Sequence, residues 1–258
     1  MDVTNFRSLR SLAVVVGILV AATGCTASAP HASGSARPTK TATVTPTPTP
    51  TPTPTFNKAA LSITDPTSLW VVVDKLRPLN PVNYVPPDLV MTPLAHNNNP
   101  QLRSAAAAAM VTMFAAGKAE GAGDMELQSA YRSYTIQVSV YNGYVRSAGQ
   151  AGADAQSARP GFSEHQSGLA ADIGAVPANC TLAACFGQTP QGLWLAANAW
   201  RFGFLLRYPA DKVPVTGYMY EPWHFRYIGV ELSTEMHTRG IATLEEFFGL
   251  PAAPDYAP

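Results

Sequence analysis

Ser163-Glu164-His165-Gln166-Ser167-Gly168-Leu169-Ala170-Ala171-Asp172 sets a histidine and an aspartate on either side of a glycine. A later stretch, Glu221-Pro222-Trp223-His224-Phe225-Arg226, adds a second histidine shortly after a glutamate. A catalytic zinc takes three protein ligands from His, Asp or Glu and keeps a fourth position for water, whose pKa falls toward ~7. His165, Asp172 and His224 fill those three positions, so the two stretches together predict a zinc hydrolase site. Glu221 is then left over as a carboxylate near the water, where general acid-base chemistry needs one. It is read as the base and not as a ligand.

Neither half is specific alone, since a nearby His and Asp, or an E-x-x-H, arise often by chance. Taken together, S-x-H-x-x-G-x-A-x-D at 163–172 and the later E-P-W-H-x-R resemble the LAS metallopeptidases, and within them the VanY-type D-alanyl-D-alanine carboxypeptidases. Ser129-Ala130-Tyr131-Arg132-Ser133 with Gln137 is similar to that family's S-x-Y-R-S-x-x-x-Q segment, and the resemblance spans residues 61–250. It implies an α+β fold in which a mostly antiparallel sheet carries the zinc site on its open face and helices cover the other. It implies Zn2+ as cofactor, the peptidoglycan stem peptide as substrate and removal of a terminal D-alanine as the reaction. Gln137 and Ser163 carry over as polar contacts to the substrate or to the metal's ligands.

Arg132 suits a carboxypeptidase on chemical grounds. A guanidinium offers planar, bidentate donors to a terminal carboxylate or a developing oxyanion. His165 is expected to give its other ring nitrogen to a carboxylate or carbonyl. Two rival readings stay open. One is an L,D-carboxypeptidase or stem-peptide endopeptidase of the same fold; the other is a non-catalytic zinc-containing module that binds cell wall, against which Glu221 argues.

Lys plus Arg and Asp plus Glu each number 17 in 258 residues, so no basic field exists to draw in nucleic acid or an anionic membrane surface. A small neutral or zwitterionic peptide fits better, and the chain is expected to act as a monomer. Arg7 and Arg10 precede an apolar run at 12–22 that is short for a membrane span, so residues 1–25 read as a signal peptide. Ala22-Thr23-Gly24-Cys25 resembles a bacterial lipobox, which would make Cys25 the lipid anchor on the outer face of the cytoplasmic membrane; ordinary signal-peptidase cleavage is the alternative. Residues 26–60 are a Thr/Pro-rich linker with no apolar periodicity, expected to be disordered. At ~3.1 Å per residue such a linker reaches on the order of 100 Å, far enough to work on a cell wall. Cys180 and Cys185 are expected to form a disulfide, the natural reading in an exported protein.

Within 61–250 the periodicities predict a strand at 70–73, a helix at 101–120, a strand at 125–130 delivering Tyr131 and Arg132, and a helix at 134–147. A surface loop is expected at 149–161, then a strand at 169–173 carrying Asp172 after a turn at Gly168. A helix at 191–201 capped by Thr189 or Pro190, strands at 204–208 and 218–227 around a loop at 209–217, and helices at 230–237 and 244–248 complete the domain. Strand alternation puts His224 and Arg226 on one face and Trp223 and Phe225 on the other. Residues 251–258 read as a tail.

Overall fold

The computed structural model describes residues 55–257; the expected signal peptide, Cys25 and the linker as far as residue 54 lie outside them. A short antiparallel pair, β1 (Leu89–Met91) and β2 (Gln101–Arg103), leads into α1 (Ser104–Ala119). The alanine-rich helix therefore starts three residues later than expected, because Gln101–Arg103 pair with β1. Then follow β3 (Asp124–Ser129), α2 (Tyr134–Gln156), β4 (Ala170–Val176) and α3 (Pro190–Asn198). The Thr189 hydroxyl caps α3 by accepting from Gly192 N, with Pro190 in the first turn, so both expected start signals are used. β5 (Phe204–Leu206), α4 (Val213–Thr216), β6 (His224–Tyr227), α5 (Val230–Thr238) and α6 (Leu244–Phe248) complete the order.

The main sheet runs β3-β4-β6-β5 with every neighbouring pair antiparallel. Alternation along the strands divides its two faces. Ala171, Ile173 and Phe225 join Met110 and Met113 of α1 and Leu195 of α3 in the main core. Asp172 and His224 are register partners on the opposite face, so helices back the face away from the candidate site, as expected. That site face is open only in part. Leu205 packs there against a second core of Trp70, Val72, Ile228 and the apolar sides of α5 and α6.

Several local expectations change. Residues 70–73 form no strand: Val71 and Val73 bury in one core while Trp70 and Val72 bury in the other. The carbonyls of Leu69 and Val71 instead accept from Arg226 Nη2 at 3.1 and 2.8 Å, so a guanidinium stands where a partner strand would. α2 continues into the expected loop at 149–161. Gly149 (φ 70) breaks it once, and the alanine and glutamine residues that follow let it resume. Residues 218–223 stay outside β6, and the expected loop at 209–217 carries α4 and a 3-10 turn, Ala210–Lys212.

Both domain edges also move outward. Phe56 stacks on Trp70 at 5.5 Å and meets Phe247 edge-on at 5.6 Å. In the expected tail Ala253 is buried, and Tyr256 Oη accepts from Arg159 N at 2.7 Å. Lys75 is buried as well and donates to the carbonyls of Gly217 (2.6 Å) and Pro254 (3.1 Å). A buried ammonium needs acceptors, and the last residues supply one.

Candidate metal centre and active site

His165 lies in a 3-10 turn, Glu164–Ser167, that ends at Gly168 in the left-handed region (φ 68). A Cβ there would come within 2.9 Å of Leu89 and 3.0 Å of Arg103, so the turn that separates His165 from Asp172 needs a glycine. Asp172 sits on β4 directly opposite His224 at the start of β6. The three residues are buried, and one ligand atom from each lies within 4.8 Å of the others: they form a group that can hold a metal ion.

Hydrogen bonds fix which ring nitrogen each histidine offers. His165 Nδ1 donates to the carbonyl of Ala130 at 2.7 Å, leaving Nε2 free 3.3 Å from Asp172 Oδ2. The expected partner was a carboxylate or carbonyl, and it is a carbonyl. His224 Nε2 donates to Glu164 Oε2 at 3.3 Å, leaving Nδ1 to face Asp172 Oδ1 at 3.2 Å. That last approach is not a hydrogen bond, and Asp172 Oδ1 is buried with no hydrogen-bond partner. Two imidazole lone pairs and an orphaned carboxylate oxygen converge on one point. This donor set fits a divalent cation of borderline softness.

The electrostatics agree. Burial pulls the His165 imidazole below its ordinary value, which keeps it neutral and ready to ligate. Burial opposes charge on His224 too, but the carboxylates of Asp172 and Glu164 outweigh it and lift His224 to about 9. Anything positive is welcome at Nδ1, whether proton or metal. Burial would likewise raise Asp172, yet the two histidines hold it well below the usual carboxylate range.

Glu221 Oε2 lies 3.7 Å from His224 Nδ1, outside the ligand group but beside it. Burial pushes its carboxyl up to about 8, with Asp172 adding and His224 opposing. A cation nearby would draw it down, toward the range in which a general base works at neutral pH. Its backbone N donates to Tyr208 O at 3.1 Å, and the Tyr208 ring lies 4.8 Å from that of His224.

Arg132, just past β3, donates from Nη1 to Gln137 Oε1 and from Nη2 to Ser129 Oγ, both at 2.9 Å, and stands 3.8 Å from Asp172. Gln137 has no exposed surface, and its Nε2 donates to Ala158 O (2.6 Å) and Ser157 Oγ (3.2 Å). Of the two expected roles for Gln137, substrate contact or support, its polar atoms serve the second here: they are used inside the protein, where they aim the Arg132 fork. Ser163 lines the cleft, and its hydroxyl does not cap the turn that it precedes. The cleft, about 170 Å³, brings Arg132, Ser163, His165, Asp172, Glu221 and His224 together.

Glu164 escaped sequence reasoning. Its Oε1 accepts from Arg207 Nε (2.8 Å) and Arg226 Nη1 (3.0 Å), and all three side chains are fully buried. Arg207 also makes a bidentate pair with Glu245 of α6 at 2.6 and 3.0 Å. A signal was present: alternation placed Arg226 on the face of His224, and an inward arginine beside two candidate metal ligands requires a carboxylate.

An antiparallel sheet backed by helices and bearing His, Asp, His and a spare glutamate in one cleft defines a metallopeptidase-type fold and site. Residues 99–230 match the family described as VanY: D-alanyl-D-alanine carboxypeptidase. The chain is 38% identical over 192 residues to "Putative carboxypeptidase YodJ" of Bacillus subtilis (strain 168), over 72% of this chain and 69% of that protein. Among solved structures it is similar to the LD-carboxypeptidase LdcB, with a TM-score of 0.66 at 38% identity over 71% of this chain and 87% of that one. It is also similar to a Zn(II) complex of a variant of the vancomycin-resistance D,D-pentapeptidase VanY from the VanB-type cassette: TM-score 0.58, 30% identity, 70% and 98% covered. The chain belongs to the VanY family of D-alanyl-D-alanine carboxypeptidases.

Glu164 yields a stability prediction. Burial would raise its pKa, but Arg207 and Arg226 hold it well below the ordinary 4.5. Its stabilisation is then complete above about pH 4.5 and declines as pH falls toward the depressed folded value. Glu164→Gln should cost about 3–5 kcal/mol at pH 7, because it leaves buried arginine charge uncompensated. The loss should shrink as the pH is lowered below 4. Denaturant titrations of both proteins at pH 7 and pH 3.5 check this, and an equal difference at both pH values would contradict it.

Proposed function

We propose that the protein is a zinc-dependent D,D-carboxypeptidase that removes the terminal D-alanine from peptidoglycan stem peptides. The observation that carries this is the convergence of His165 Nε2, Asp172 and His224 Nδ1 beside a carboxylate that is not part of the group. Zinc held by these three residues would polarise the scissile carbonyl and acidify a water. Glu221 takes the proton from the attacking water and returns it to the departing amine. Arg132, oriented by Gln137 and Ser129, holds the negative charge of the substrate's end or of the tetrahedral oxyanion. Glu164 keeps the His224 ring in one tautomer and orientation, so that Nδ1 faces the metal throughout.

Loss of the base and loss of a ligand have separable signatures. Glu221→Ala should retain zinc while turnover falls by roughly 10²–10⁴. His224→Ala should lose the zinc itself. Metal content by plasma emission spectrometry beside kcat distinguishes them, and full activity after verified metal removal would sink the proposal.

A second reading, L,D-carboxypeptidase, is favoured by the likeness to LdcB. The bond preference is read by incubating zinc-loaded protein with pentapeptide and tetrapeptide stems and following products by mass spectrometry. The D,D proposal expects the pentapeptide to lose one D-alanine faster. Faster cutting of the tetrapeptide would replace it with the L,D reading, and cleavage of an internal stem bond alone would replace both with an endopeptidase.

We also propose that the protein is exported and tethered through Cys25, supported by the short apolar run and the small residues before that cysteine. Cys25→Ser should release it into the medium. Wild-type protein that is freely soluble after cleavage elsewhere would reject the tether and leave the enzyme untouched.

A further inference from the structure

Among the described residues, only Cys180 (φ 54) and Leu182 (φ 48) take up the left-handed backbone region without being glycine. A leucine there is an outlier, held only where its surroundings over-determine it. Both residues lie in the loop between β4 and α3, which the Cys180–Cys185 disulfide closes on itself. Phe186, fully buried in the main core, anchors the far end, and Cys180 packs against the same core. The second half of the loop is a 3-10 helix, Ala184–Gln188, which carries Cys185, whereas residues 180–183 before it are tied by Ala183 N to Cys180 O at 3.2 Å and to that helix by Phe186 N to Ala183 O at 2.9 Å. The disulfide ties the irregular first half, with Leu182, to that helix.

Leu182 lines the cleft of the metal centre and is nevertheless 47% exposed. Tyr144 on α2 and Met219 line the same cleft and are 39% and 46% exposed. The buried residues of the cleft are mostly polar, Asp172, Glu221 and His224 among them beside the rings of Tyr208 and Tyr218, while its exposed edge carries, with Gln156, apolar side chains from three separate segments. Apolar side chains that line one cleft beside its polar groups offer a bound ligand apolar contact.

We propose that the disulfide-closed loop is a specificity element: it holds Leu182 over the cleft mouth, where Leu182, Tyr144 and Met219 grip the peptide on the amino-terminal side of the scissile bond. The inference rests on the carboxypeptidase function above. Such an enzyme takes the substrate's end to the polar interior of the cleft, so the residues before the cut bond leave through the mouth. There they meet aliphatic and aromatic surface, which suits the methyl and methylene groups of a peptide stem and does nothing for a bare dipeptide.

The test compares kcat/KM of zinc-loaded, full-length protein on two substrates: the stem peptide that wild type cleaves best, and the N-acetylated dipeptide matching its last two residues. Leu182→Ala should lower the stem-to-dipeptide ratio about tenfold, the factor that burial of a leucine side chain supplies. The change should fall in KM for the stem peptide and not in kcat. The double variant Cys180→Ser/Cys185→Ser should lower the ratio similarly, and circular dichroism shows whether it remains folded; if it unfolds, Leu182→Ala decides alone. Leu193→Ala, an exposed leucine of α3 that is not among the cleft residues, should keep the wild-type ratio. A wild-type ratio in Leu182→Ala overturns the inference while the carboxypeptidase function stands. A wild type that cleaves neither substrate overturns that function, and the inference with it.

Discussion

The carboxylate of Glu164 has no access to water, and it accepts hydrogen bonds from Arg207, Arg226 and His224. Through these donors the carboxylate ties separate parts of the architecture together. Arg207 follows β5 and clamps α6 through Glu245; Arg226 lies on β6 and takes the carbonyls of Leu69 and Val71. His224 belongs to the group that can hold a metal ion. Burying two guanidinium groups and a carboxylate is favourable only when each is paired and the remaining donors are used, as they are here. The same interaction that joins the β5–β6 edge to α6 and to the segment before residue 72 therefore also sets the orientation of a ring in the candidate metal group.

That coupling explains why the two histidines present opposite nitrogens. His165 is held through Nδ1 by the carbonyl at the end of the β3 segment, and His224 through Nε2 by Glu164. Asp172 lies between them with one oxygen unpartnered. The positioning continues outward: Gln137, sealed within the protein, and Ser129 fix the guanidinium of Arg132 at the same cleft. A charged group held in advance loses little entropy when it meets charge that develops during the reaction.

Much of the site was legible in the sequence because its ligands sit on short, strongly patterned segments. Gly168 marks the turn between His165 and Asp172, and strand alternation on β6 gave the faces of His224 and Arg226 correctly. Long-range pairings were not legible. Residues 70–73 have strand composition, but the carbonyl of Val71, like that of Leu69 just before them, is taken by Arg226, more than 150 residues away in the chain. α2 runs on beyond a glycine that local reasoning takes as its end, since Tyr141 donates to Asp154 at 2.6 Å across the break at Gly149. For Gln137 the family resemblance left two destinations open, the substrate or the groups behind the site, and only its burial against Arg132, Ser157 and Ala158 distinguishes them.

The most direct measurement is anomalous diffraction at the zinc edge from crystals of the zinc-loaded protein. A single peak touching His165 Nε2, Asp172 and His224 Nδ1, with Glu221 close by but not in contact, is the expected result. A peak on the other nitrogen of His224, or Glu221 in contact with the ion in place of Asp172, would contradict the assignment of ligands and base. No peak at this cleft in zinc-loaded crystals would contradict the metal centre altogether.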